Sequence, residues 1–260
     1  MTTFTIGADP EIFLRNLDGK FVSSIGRIGG SKEQPMKTNH GSVQEDNVLA
    51  EFNIYPASSE DDFVHSIFSV LSDLENIVIP QNLKMDFSAS VEFDESELNH
   101  PLARLSGCDP DYNCYTLEEN QPADFWETNV RSAGGHIHVG WDGKDKYPSA
   151  RADLIKSMDL FLGIPSILLD EDTRRKSLYG KAGAYRPKDY GVEYRTLSNF
   201  WLQKEELVRW VYKNTKLAIH HMDWVKDSFG NVIQNAINNN DKKLAMGIIS
   251  DFEINMPQGF

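Results

Sequence analysis

Four short segments of the sequence carry polar residues two positions apart. Residues at this spacing lie on the same face of a β-strand, so each pair would present its functional groups together. The groups are carboxylates, imidazoles and a guanidinium, which are the side chains that bind metal ions and phosphates. In chain order the pairs are Asp9 with Glu11, Glu51 with Asn53, His136 with His138, and Glu193 with Arg195.

The first pair flanks a proline, since Asp9 and Glu11 lie on either side of Pro10. Adjacent carboxylates repel each other, and a bound cation between them relieves that repulsion. The alternative is a pair of exposed acids on a solvated strand. Because proline cannot donate a ladder hydrogen bond, Pro10 predicts an edge strand or a bulge.

The second pair lies in Val48–Tyr55, where apolar and polar residues alternate as in a half-buried strand. Glu51 and Asn53 share the polar face of this strand, and Glu45 and Asp46 closely precede it. Glu51 is therefore either a ligand or an exposed carboxylate.

Glycines surround the histidine pair, with Gly134 and Gly135 before it and Gly140 after it. Glycine allows a ligand to approach the backbone closely. His136 and His138 on one strand face suit a metal site or a phosphate site. The paired arrangement favours a functional site over two unrelated structural histidines.

The fourth pair ends a basic segment, because residues 173–195 include seven basic residues and only two acidic ones. The segment is either a solvated charged face or an anion site. Glu193 and Arg195 in turn form either a surface ion pair of little energetic value or a metal-binding carboxylate beside a phosphate-binding guanidinium.

Taken together, these side chains suit Mg²⁺–nucleotide chemistry, in which carboxylates hold the ion and basic groups stabilise the phosphoryl group. The chain as a whole carries a net charge of −13. Such a charge repels phosphate backbones, so we expect no general binding of nucleic acids.

The chain has 260 residues, of which 40% are hydrophobic, and we expect a single α+β domain over residues 1–260. Residues 92–125 lack apolar periodicity, and we interpret them as an excursion that forms a substrate lid. We predict strands at Phe4–Leu14, Lys20–Ile25, Val48–Tyr55, Ile77–Phe87, Gly134–Trp141 and Gly191–Leu197. We predict helices over 63–74 with Ser58 or Ser59 as the cap, and at Ala150–Leu162, Lys204–Ile219, Val232–Ile237 and Lys242–Ile249.

The N-terminal sequence lacks the pattern of a signal peptide, and no run of about 18 apolar residues predicts a membrane span. We therefore expect a cytoplasmic protein that has no membrane partner. In that compartment Cys108 and Cys114 are expected to be free thiols.

The ordered set of motifs resembles the glutamine-synthetase-fold carboxylate–amine ligases, in particular the phage-associated COOH·NH2 ligase type 2 family. It is more distantly similar to glutamate–cysteine ligases. The matching stretches are 7–11, 45–53, 134–140, 178–186 and 193–195. The resemblance implies an antiparallel sheet whose concave face holds the active site, with helices packed on the other face. It also implies a location in the cytoplasm of the host if the chain is phage-encoded.

The resemblance further implies two or three Mg²⁺ ions, with Mn²⁺ as an alternative, bridging carboxylates and ATP. Asp9 replaces the usual glutamate of the family, which shortens its reach. The implied metal ligands are Asp9, Glu11, Glu45, Glu51, His136 and Glu193. The implied nucleotide contacts are Lys181, Arg186, Arg195 and His138. The implied catalytic residues are Arg186, Arg195 and Glu51.

The activity that follows from the resemblance is an ATP-dependent ligation of a small-molecule or peptide carboxylate to an amine through an acyl phosphate. Three alternatives stay open, namely a guanidino-kinase-like phosphotransferase, an ATP-independent metallohydrolase using His136, His138 and Glu193, and an inactive binding module. The oligomeric state is also open.

Overall fold

The structure is a computed structural model that describes residues 3–104, 110–121, 128–142, 148–225 and 227–259, with only the backbone of 227 and 228. Twelve strands lie within these ranges. They are β1 Phe4–Asn16, β2 Phe21–Val22, β3 Met36–Lys37, β4 Gly41–Asp46, β5 Leu49–Ile54, β6 Leu83–Asp86, β7 Ser90–Glu92, β8 Tyr112–Asn113, β9 Val130–Ser132, β10 Gly135–Trp141, β11 Ala184–Lys188 and β12 Gly191–Tyr194.

Ten of these strands form one sheet, and every pairing described in it is antiparallel. Its order is β3-β4-β5-β1-β10-β12-β11-β8, while β2 and β6 pair with the C-terminal part of β1. β7 and β9 form a separate two-stranded sheet. The long strand β1 therefore holds the main sheet together, since it pairs with four other strands.

Helices pack against one face of this sheet, where α1 packs on β4, β5 and β6 and α2 packs on β11 and β12, and α5 packs on both of these helices. A π-helical turn at Asp159–Gly163 joins α2 to α3. The helices are α1 Glu60–Val78, α2 Pro148–Met158, α3 Ile164–Leu169, α4 Arg175–Leu178, α5 Glu205–His220, α6 Asp227–Asn238 and α7 Lys242–Asp251.

Side-chain alternation gives the sheet an apolar face and a polar face. Ile12, Phe52 and Ile137 are fully buried on the apolar face, in the same core as residues of α1 and α2. The opposite face carries the paired polar residues. The predicted α+β class, with an antiparallel sheet and helices packed on one face, is confirmed.

The strand predicted at Ile77–Phe87 is wrong over its first half. Helix α1 continues to Val78, which is fully buried, and a 3₁₀ turn follows at Ile79–Gln81. Asn82 then adopts a left-handed φ of 59°, which redirects the chain into the short strand β6.

Of the two alternatives expected from Pro10, an edge strand or a bulge, the edge strand is wrong, because β1 lies between β5 and β10 in the interior of the sheet. The ladder between β1 and β10 ends at Pro10, which pairs in register with Gly135. The missing donor of proline thus falls where the ladder stops rather than on a free edge.

The described part of the 92–125 excursion is anchored to the sheet near its start. Leu98 and Ala103 are buried in a second, smaller core with Phe13 of β1, and Glu97 accepts a hydrogen bond of 2.8 Å from the Ser23 N–H. Residues 105–109 and 122–125, with Cys108 among them, lie outside the described residues, and the lid stays a prediction. Cys114 is a buried free thiol.

The helical stretch 60–81 is long and apolar enough to cross a membrane by length and composition alone. In this fold several of its apolar residues, among them Phe63 and Ile67, are fully buried in the core beneath the sheet. The opposite surface of the stretch begins with the acidic residues Glu60, Asp61 and Asp62. This arrangement is typical of an amphipathic core helix.

The N-cap of α1 provides a test of the described fold. Ser59 Oγ accepts a hydrogen bond of 3.2 Å from the Asp62 N–H, whereas Ser58 lies outside the helix. We expect Ser59→Ala to lower the free energy of unfolding by about 1 kcal/mol in urea titrations. The matched control Ser58→Ala should change it by less than about 0.5 kcal/mol. Equal effects of the two variants would contradict the assigned cap.

Candidate active site

The polar face gathers functional side chains from six neighbouring strands, β4, β5, β1, β10, β12 and β11. The register of the strands determines which of these side chains are neighbours. The opposed pairs are Glu11 with Glu51, Asp9 with His136, His138 with Glu193, and Arg186 with Glu193. Residues that are far apart in sequence therefore form one continuous polar surface.

At the centre of this surface lies a triad of Asp9, His138 and Glu193, whose potential ligand atoms all lie within 4.8 Å of one another. Oδ1 of Asp9 is 2.8 Å from Nε2 of His138, yet neither buried atom has a hydrogen bond of good geometry. Burial alone would raise the pKa of Asp9, but the attraction of His138 holds that pKa well below its ordinary value. An anionic oxygen and an imidazole nitrogen with no better partners are suited to share a cation.

His136 lies beside the triad and is almost completely buried, with 3% exposure. Its Nδ1 is 3.5 Å from Asp9 Oδ1, 3.7 Å from Glu193 Oε1 and 3.5 Å from Arg195 Nη1. Burial and the charge of Arg195 lower the pKa of His136 to about 3, so its ring is neutral at pH 7. Gly134 is required here, because a Cβ at that position would lie 2.1 Å from His136 Nε2.

Three cations surround the fully buried carboxylate of Glu193. Lys188 Nζ is 2.8 Å from Oε2, Arg186 Nη1 is 3.3 Å from Oε1, and Arg195 also contacts Oε1. Burial and the charge of Asp9 raise the pKa of Glu193, which the cations oppose. The β11–β12 side of the polar face is therefore its basic half.

The β4–β5 side is the acidic half. Glu11 accepts a hydrogen bond of 2.5 Å from the Gly134 N–H, and Glu51 accepts one of 3.0 Å from the Gln44 amide. Burial, followed by the charge of Asp46, raises the pKa of Glu11 to about 7. Burial and the neighbouring carboxylates raise the pKa of Glu51 well above its ordinary value. The raised pKa values thus reflect several carboxyl groups buried close together on this side of the sheet.

Two of the residues singled out from the sequence lie apart from this surface. Register places Glu45 on the face opposite to Glu51, and its carboxylate accepts hydrogen bonds from the N–H groups of Ile28 and Gly29 at 3.2 and 3.0 Å. Lys181 is exposed on the loop before β11. The polar face carries the others, which are Asp9, Glu11, Glu51, His136, His138, Arg186, Glu193 and Arg195.

The sequence analysis missed three further residues of this face. Asp46, rather than Glu45, shares the face of Glu51. Lys188 is two positions from Arg186, so the same spacing that revealed the other pairs could have found it. Tyr190, whose hydroxyl contacts Nδ1 of His138, lies in the turn between β11 and β12 and carried no sequence signal.

The basic segment 173–195 is not one anion site, because Arg175 is a buried structural residue. Its guanidinium donates to the carbonyls of Ala133, Thr196 and Arg195 at 3.0, 2.7 and 3.2 Å. Arg175 therefore fixes the backbone just before β10, which carries the two histidines, and just after β12, which carries Glu193.

Asp159, in the π-helical turn, was also missed, since the sequence predicted a regular helix through Leu162. Its buried carboxylate accepts four hydrogen bonds that join the 92–125 excursion, the loop before β11 and the strand β12. The donors are the hydroxyls of Tyr115 (2.9 Å), Tyr194 (2.8 Å) and Thr196 (3.2 Å) and the Gly183 N–H (2.7 Å).

Comparison with solved structures finds distant similarity. One is described as a crystal structure of a novel glutamine synthase homolog, with a TM-score of 0.41 and 11% identity over 96% of this chain. Another, described as apo GmaS without ligand, has a TM-score of 0.41 and 9% identity over 99% of this chain. The chain spans 66% of the length of the first and 71% of the second.

No curated protein is significantly similar in sequence. The model of the family described as "Phage phiEco32-like COOH.NH2 ligase-type 2" matches residues 127–256, which is half of the chain and includes β10, β11 and β12. The resemblance inferred from the motifs is thereby confirmed. The chain belongs to the phage phiEco32-like COOH·NH2 ligase type 2 family.

Proposed function

We propose that the protein is an ATP- and divalent-metal-dependent ligase that joins a carboxylate to an amine through an acyl phosphate. The observation that carries this proposal is the juxtaposition, on one sheet face, of the Asp9–His138–Glu193 triad with three cations around Glu193. Phosphoryl transfer needs these two elements, a cation site and fixed positive charges, next to each other.

The triad fits a divalent ion by its donor set, because it offers two carboxylates and one imidazole. The facing atoms Asp9 Oδ1 and His138 Nε2 also lack hydrogen bonds of good geometry. Carboxylates suit Mg²⁺, and a mixed oxygen–nitrogen set also accepts Mn²⁺. Glu11 and His136 are the proposed ligands of one or two further ions. Glu45 faces away and is left out, and Glu51 is assigned to the amine substrate instead. Bound there, the ion supplies Lewis acidity to phosphate and carboxylate oxygens.

The basic half would bind the transferred phosphoryl group. Arg186 and Arg195 are held at the surface of the sheet by their contacts with Glu193, and their forked donors match phosphate oxygens. Lys188 adds a third positive charge, and Lys181 on the neighbouring loop is a proposed contact for the nucleotide.

The acidic half would bind the amine substrate and accept its proton. An ammonium substrate must lose a proton before it can attack an acyl phosphate, and a carboxylate is the usual acceptor. Glu51 is the proposed acceptor, since it lies next to Asp9 on the polar face and at the border of an open cleft. We further propose that residues 1–260 act as one catalytic domain whose excursion at 92–125 covers the site.

An acyl phosphate can be trapped with hydroxylamine. A panel of carboxylic acids is incubated with the protein, Mg²⁺, ATP and hydroxylamine, and hydroxamate, ADP and phosphate are quantified. We expect one acid to yield the three products in equal amounts. Release of AMP and pyrophosphate, ADP without hydroxamate, or acid turnover without ATP would each contradict the proposal, the last two in favour of a phosphotransferase or a metallohydrolase.

The metal assignment is tested by removing one carboxylate charge on each face of the sheet. We expect Asp9→Asn to weaken Mn²⁺ binding by at least about tenfold in calorimetric titrations, since a charged ligand is lost. Glu45→Gln, on the opposite face, should bind Mn²⁺ like the wild type. Normal binding by Asp9→Asn would exclude the triad as the metal site.

The phosphate role of Arg195 is tested by a change that keeps its charge but removes its fork. We expect Arg195→Lys to lose about tenfold or more in turnover, which is about 1.4 kcal/mol at the transition state. The matched control is Arg209→Lys, which should retain activity. Arg209 forms ion pairs with Glu60, Asp61 and Glu205. Wild-type turnover of Arg195→Lys would contradict the phosphate role and indicate that Arg195 only forms a structural ion pair with Glu193.

A further inference from the structure

A cleft of about 440 Å³ opens on the polar face next to Asp9 and His138. Gly7 of β1 and Gly140 of β10 contribute bare backbone to its lining. Tyr55 and Tyr190 line it as well, so we refer to it as the tyrosine cleft. Because glycine has no side chain, a flat group can lie directly against these two strands.

The two tyrosines present large aromatic surfaces to solvent, with 51% exposure for Tyr55 and 44% for Tyr190. Tyr190 is held in place, because its carbonyl accepts a hydrogen bond of 3.0 Å from the Trp141 N–H and its hydroxyl contacts His138. Exposed aromatic rings beside a few convergent polar groups are typical of small-molecule sites.

Among the described residues that line the cleft, Asp9 and Glu51 supply carboxylates, His138 supplies an imidazole, and no lysine or arginine is present. The cations of the polar face lie around Glu193, in the basic half. A ligand in the tyrosine cleft would therefore place a cationic end, and not a phosphate or carboxylate, against the protein.

We propose that the tyrosine cleft binds the amine substrate of the ligase, and that this amine carries a planar aromatic group. The ammonium group would lie at Glu51, beside the metal site, and the ring would pack against Tyr55 and Tyr190. The inference rests on the proposed ligase function and specifies the class of its second substrate.

Gly7 allows the cleft to be filled without disturbing the fold. A Cβ at Gly7 would meet His138 Cβ at 3.6 Å and the Ile54 carbonyl at 3.8 Å, which are ordinary contacts. Gly7→Ala therefore adds a methyl group to the lining of the cleft. Gly247→Ala in α7, where an added Cβ has nothing within 4 Å, is the matched control.

The experiment measures the binding of benzylamine by calorimetry in the presence of Mg²⁺ and the absence of ATP, with ethylamine, benzoate and adenosine as comparison probes. We expect benzylamine to bind at least about tenfold more tightly than each of the other three. Gly7→Ala and Tyr55→Ala should each weaken benzylamine at least about fivefold, with an unchanged melting temperature. Gly247→Ala should bind like the wild type.

Tighter binding of adenosine, with its loss in Gly7→Ala, would assign the cleft to the nucleotide and overturn the proposal. Undiminished benzylamine binding in Gly7→Ala, or no preference for benzylamine, would overturn it as well. Because ATP is omitted, this result is independent of the hydroxamate assay. A protein that binds benzylamine in the cleft but forms no hydroxamate would refute the ligase function and leave the cleft a site for aromatic amines. Hydroxamate formation without benzylamine binding would refute the assignment of the cleft and leave the ligase function in place.

Discussion

The buried carboxylate of Glu193 is the constraint on which the polar face depends. A fully buried charge is strongly unfavourable unless opposite charges and hydrogen bonds compensate it. Here Arg186, Lys188 and Arg195 surround it, and His138 lies opposite it in register. This requirement joins β11, β12 and β10 electrostatically as well as through their backbone ladder, and it concentrates positive charge at one side of the sheet.

The same strands separate charge across the sheet. The attraction of His138 lowers the pKa of Asp9, whereas burial and neighbouring carboxylates raise the pKa values of Glu11 and Glu51. The triad thus lies between a basic half of the sheet and a half whose carboxyl groups have raised pKa values. Such a gradient suits a reaction that handles phosphate on one side and an amine on the other, which is the chemistry proposed for this family member.

Much of this surface follows from the two-residue period of a strand, which needs no knowledge of the partners. The period is enough to place Asp9 with Glu11, and His136 with His138, on one face each. The two-residue period does not predict the face of a residue where the register of the strand pair determines that face. The polar strand β4 has no apolar alternation, and the left-handed Asn47, with a φ of 54°, sets the hairpin so that Asp46 and not Glu45 faces the site. Tertiary contacts decide the rest, as for Asp159, whose four donors come from distant parts of the chain.

Anomalous diffraction from crystals grown with Mn²⁺ and a non-hydrolysable ATP analogue would locate the metal and the nucleotide in one experiment. We expect an anomalous peak bonded to Asp9, His138 and Glu193, with the terminal phosphate between that ion and the guanidinium groups of Arg186 and Arg195. A well-occupied nucleotide whose metal lies elsewhere, with the triad bonded to no ion, would contradict the assignment of this face as the active site.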